Sequence, residues 1–359
     1  MIATSAPPTI SGAPPEPVLS GASIPELPPA PNRNAMMAAI SGTPVRPVVV
    51  TVDGTDLAER STKVAARLAY VRGATLILVR AIPGTARHGL FAYLLEDRAH
   101  EVENVRTSVR HLAETLRDIF PSLRVEVTIA DGAPATAAVA AVQRANPGLA
   151  VIATRGRPVI ARTFGGSIAG EVVRNLDAAT LVLWPRVVEN LTTEEWRDDT
   201  LIVPTDTPIG RRVLLPIADA VRHPRLVAEA FRLARDASGE VVILVGLDTA
   251  TRDAATRLAD LAQRLGLSTR VVVAPTHDWV TIANVIIHEG CDVAVMPTVA
   301  AVPGTRPGLG RVHRDVVTRA MVPVLCVPDL PNGERHGLAN LYPDLPLPLL
   351  DAARRLAPR

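Results

Sequence analysis

The 359-residue chain reads as an α/β protein: two tandem, doubly wound, five-stranded parallel-sheet domains behind an N-terminal arm expected to be disordered. Three observations predict this. Apolar runs of strand length alternate with segments of helical period, as βαβ crossovers require. The series then recurs, so that Gly310, 144 residues after Gly166, again opens a helical pattern. Finally, residues 1–44 carry Pro-Pro pairs at 7–8, 14–15 and 28–29, which sustain neither a helix nor a strand ladder.

Order is expected from Arg46, in a first domain spanning 45–185. Pro47 to Val52 is a valine-rich run suited to a strand covered on both faces. Asp53-Gly54-Thr55 breaks it. Leu57 to Val71 then places Val64, Leu68 and Val71 on one helical face, and Gly73 stops that helix. Ala74 to Ile82 is the second strand. Phe91 to Phe120 holds a helical period through Leu95, Val102, Val105, Val109, Leu112, Leu116 and Ile119, with Pro121 beyond its end. Leu123 to Ala130, Leu149 to Ala153 and Thr180 to Trp184 are strands three to five, and Pro134 to Arg144 is an alanine-rich helix. A charged linker, 186–211, leads to a second copy at 212–328. Its strands are Arg212–Ile217, Glu240–Gly246, Arg270–Ala274, Asp292–Met296 and Pro323–Val327. The tail, 329–359, ends in a short amphipathic segment, Leu349 to Leu356, expected to pack on a domain or fray.

Chemistry concentrates after the fourth strand. Leu149 to Ala153 ends in a turn, an Arg-bearing loop follows, and Gly166-Ser167 opens a helix at Ile168. Backbone N–H groups of such a loop and of the helix start converge on one point, where the helix dipole favours an anion. The reading is a nucleotide phosphate site.

The spacing Ala153, Thr154-Arg155, Gly156, nine residues, Gly166-Ser167 resembles the universal stress protein pattern of Gly, two residues, Gly, nine residues and Gly-Ser/Thr. Ala153 stands where the pattern has its first glycine. A Cβ there costs about 1–2 kcal/mol if the backbone is left-handed. The resemblance implies a universal stress protein-like fold and an adenine nucleotide, ATP with Mg2+ as counter-ion. It implies that Asp53 contacts the adenosine and that Thr51 and Ala81 line the adenine pocket. Gly156, Gly166 and Ser167 would hold the phosphates, with Arg157 and Arg162 as candidate charge partners, and Ile152, Ala153 and Ile168 complete the expected binding residues. It also implies a regulatory role in a stress response, with slow ATP hydrolysis at most, and pairing through fifth-strand edges, within one chain or between two. In the second copy Pro297, Ala300 and Arg311 replace Ala153, Gly156 and Ser167, and Ala218 replaces Asp53. That copy is read as degenerate.

Other classes fit less well. The net charge is +2, without a basic block, so no nucleic-acid partner is expected. Cys291 and Cys326 belong to no metal-ligand cluster and are read as buried thiols. No apolar run is long enough for a membrane span, no signal peptide is evident, and a cytosolic location is expected. Gly165-Gly166-Ser167-Ile168-Ala169 approaches a serine-hydrolase elbow, but Ser167 lies fourteen residues beyond its strand and no triad partners stand out. No acid–base pair suggests catalysis. The alternative is a scaffold of the same fold that binds no nucleotide but an unknown protein partner.

Overall fold

The computed structural model describes residues 45–83, 93–153, 168–184, 209–217, 224–298, 316, 322–328, 342 and 345–356. The first half contains β1 (Val48–Val52), α1 (Asp56–Arg72), β2 (Leu76–Pro83), α2 (Tyr93–Ile119), β3 (Val125–Gly132), α3 (Pro134–Arg144), β4 (Leu149–Ala153), α4 (Ile168–Asn175) and β5 (Thr180–Leu183). The second contains β6 (Arg212–Pro216), α5 (Pro224–Asp236), β7 (Glu240–Val245), α6 (Thr249–Arg264), β8 (Ser268–Val273), α7 (Trp279–His288), β9 (Val293–Thr298), β10 (Val324–Pro328) and α8 (Leu347–Leu356). Strand positions and the first-half helices follow the sequence periodicity within a few residues, while α6 and α7 lie in segments to which the sequence reading assigns no element. Among the described residues, no helix is long and apolar enough to cross a membrane.

All ten strands join one sheet in the order β3-β2-β1-β4-β5-β10-β9-β6-β7-β8. Neighbours within each half run parallel. The two halves meet where β10 pairs antiparallel with β5, Val324 opposite Val182, Leu325 opposite Leu181 and Cys326 opposite Thr180. The fifth strands therefore pair within the chain, so neither is an open edge.

Strand periodicity divides the first half's core. Val48, Val50, Val52, Leu76 and Leu78 belong to one cluster, with Ala65, Ala69, Val109 and Leu116 of α1 and α2. Val49, Ile77, Val79, Ala150 and Ile152 belong to another, with Val142 and Val172 of α3 and α4. Successive strand residues thus face opposite helix layers.

Charge crosses between the halves. Arg72, ending α1, donates from Nε to Asp236 Oδ2 at 2.7 Å, with side chains only 4% and 5% exposed. Arg225 donates to the Asp177 carbonyl at 2.7 Å and to the Tyr342 hydroxyl at 2.9 Å. That hydroxyl donates to Glu229 at 2.7 Å. Tyr342 is fully buried, and Leu349, Leu350 and Ala353 of α8 are buried with it. The C-terminal segment therefore packs on the second half, where α8 lies against α5 and α6.

Candidate functional site

In the order 3-2-1-4-5 the connection from β1 leads to β2 on one side, while β4 enters on the other. Such a reversal opens a crevice at the carboxyl ends of the strands. Val50 pairs with Val151, and continuing that parallel register sets Thr51 level with Ile152 and Val52 level with Ala153. Val52 is level with Arg80. Asp53 and Ala81 are each one step further, at the same edge.

The β1–α1 turn is built locally. Gly54 has φ +77°, a conformation that a side chain resists. Asp53 is exposed, and its Oδ1 accepts from the Thr55 amide at 3.0 Å and from its hydroxyl at 2.5 Å. Thr55, the N-cap of α1, accepts in turn from the Ala58 amide at 3.3 Å. The helix is therefore capped by Thr55, and Asp53 braces the cap from the rim.

Across the crevice, Ala153 ends β4 part-buried, and its φ is not positive. A Cβ at this position carries no left-handed strain, so replacing the pattern's first glycine costs nothing in backbone conformation. Ile168 opens α4, which is anchored by buried Val172 and Val173. Gly156, Arg157, Arg162, Gly166 and Ser167 lie outside the described residues. Thr51, Asp53, Ala81, Ile152, Ala153 and Ile168 are brought to one end of the sheet.

In the second half Pro297 is a buried strand residue opposite Val327, and the buried Thr298 hydroxyl donates to the Val327 carbonyl at 3.4 Å. Ala218, Ala300, Gly310 and Arg311 lie outside the described residues. Both cysteines are free and buried, and burial pushes their thiols up to about 12. Among the described residues no group of His, Cys, Asp or Glu could hold a metal.

Sequence reasoning passed over Arg80. It is the one charged residue in the strand run Leu76 to Pro83, an anomaly that could have marked it. Its Nη1 donates to the Val52 carbonyl at 3.3 Å. A Cβ on Gly54 would come within 3.1 Å of that nitrogen.

A parallel sheet with a crevice at its strand-order reversal and a helix opening across it defines a doubly wound α/β domain. Residues 44–183 match the model of the universal stress protein family. The fold is similar to that of a universal stress protein from Archaeoglobus fulgidus DSM 4304, at 15% identity, 79% coverage of this chain, 97% of that one and a TM-score of 0.58. Also similar are a universal stress protein in complex with cAMP (22% identity, 40% of this chain, 98% of that chain, TM-score 0.31) and one from Archaeoglobus fulgidus in complex with dAMP (19%, 38%, 95%, 0.29). No curated protein matches the chain.

Proposed function

We propose that the first half binds ATP, with Mg2+ as counter-ion, in the crevice between β1 and β4, and that occupancy regulates a protein partner in a stress response. The observation that carries the reading is the meeting of Asp53, Ala81 and Ala153 at one sheet edge, beside the start of α4, within the family-matching segment. Asp53 accepts from the adenosine. The amides of the Gly156-to-Ser167 stretch and the α4 N-terminus hold the phosphates, where unpaired N–H groups and the helix dipole favour anions. Arg157 adds a charge-assisted donor. The reading is one of nucleotide binding, with slow ATP hydrolysis at most.

Calorimetric titration of the full chain with MgATP tests this. Binding near the micromolar range, about −8 kcal/mol, is expected. Asp53→Ala and Gly166→Val should abolish it, while Arg311→Ala in the second half should leave it unchanged. Absence of heat with the wild-type chain, or binding lost only with Arg311→Ala, would overturn the assignment and favour the nucleotide-free scaffold.

A further inference from the structure

A pocket of about 50 Å³ opens on the opposite side of the sheet from Thr51 and Ala81, between α1, α2 and the ends of β1 and β2. Its position follows from strand alternation. Val52 lies in the α1/α2 core cluster, and the register makes Arg80 its lateral neighbour, so both face that layer. Thr51 and Ala81, one residue away along each strand, face the other. The pocket is therefore separate from the crevice assigned to nucleotide.

Its lining is amphipathic. Val105, Val109 and Leu112 of α2 join Val52 as an apolar wall. Arg80 and Glu59 add one charge of each sign. Among the described residues neither side chain is ion-paired; the Arg80 guanidinium makes only its 3.3 Å bond to the Val52 carbonyl. A guanidinium has five N–H donors, so most of this fork is available to a ligand. The volume decides the size of guest. At roughly 10–15 Å³ per water-sized group, the pocket admits about four non-hydrogen atoms, the size of an isopropyl group with its attached carbon.

We propose that this pocket is a binding site for a small apolar α-amino acid of the branched-chain class. Its alkyl group packs on the α2 wall, its carboxylate accepts from Arg80, and its ammonium donates to Glu59. A plain carboxylic acid would leave Glu59 as an uncompensated like charge beside it, and a plain amine would do the same with Arg80. The site does not require nucleotide to be bound.

The test is calorimetric titration of the full chain, without nucleotide, using L-valine, isovalerate and isobutylamine. L-valine should bind saturably, and each singly charged analogue at least about tenfold more weakly. Arg80→Gln and Glu59→Gln, at partly exposed and exposed positions, should each weaken L-valine about tenfold or more. Ser108→Leu should fill the pocket and abolish binding. Circular dichroism and thermal unfolding check that each variant is folded, and the Asp53→Ala chain, defective for ATP, should bind L-valine normally. No saturable L-valine binding, isovalerate or isobutylamine binding as tightly, or L-valine affinity unchanged in folded Arg80→Gln would each overturn the proposal.

Discussion

At the scale of single residues, the β1–α1 turn ties the crevice to backbone conformation. Gly54 holds φ +77° with the Arg80 guanidinium packed against it. Gly54→Ala should therefore cost about 1–2 kcal/mol of stability, read as a lower denaturant midpoint with unchanged slope. The cysteines offer a second check. With thiols pushed up to about 12 by burial, Cys291 and Cys326 should resist a disulfide reagent at pH 8 in the native protein and react fully once unfolded. Rapid modification of the folded chain would contradict their placement. Ala153 shows what sequence alone left open: its substitution for glycine matters only if φ is positive, and in β4 it is not.

At the scale of elements, the first-half boundaries were legible because the strands are short runs rich in Val, Leu and Ile, and α2 carries a clear apolar stripe. The segments assigned to no element, α6 and α7, were not read. The buried stripe of α6 is largely alanine, Ala254, Ala255 and Ala262 around Leu258, and alanine gives periodicity little contrast. The charges of α5 carry no local signal of their setting. Arg225, Glu229 and Arg232 are all buried. They are covered from the C-terminal segment, with Arg232 5.9 Å from the Tyr342 ring. That contact joins residues over a hundred positions apart, which no local pattern reveals. Tyr342→Phe removes the hydroxyl shared by Arg225 and Glu229 and should cost about 1–3 kcal/mol. Stability unchanged by that substitution would remove the network from the account.

At the scale of the whole molecule, the repeat read from the sequence corresponds to a strand order of 3-2-1-4-5 in each half, joined by an antiparallel seam. Pairing at the seam was anticipated as one of two options; the buried Arg72–Asp236 bridge across the halves was not. Arg72→Met leaves Asp236 buried without its partner. Breaking a buried pair in this way should cost about 3–5 kcal/mol, and in calorimetry the halves should lose the single transition expected of the wild-type chain. The nucleotide site proposed for the first half is a separate matter, because the two halves share a topology and differ in their loop residues, Gly156 and Ser167 against Ala300 and Arg311. Hydrogen–deuterium exchange of the full chain with and without saturating MgATP addresses it most directly. Slower exchange in peptides covering 51–58 and 150–170, with none in those covering 294–314, is the expected result. Unchanged exchange throughout, or protection confined to the second half, would contradict nucleotide binding beside Asp53.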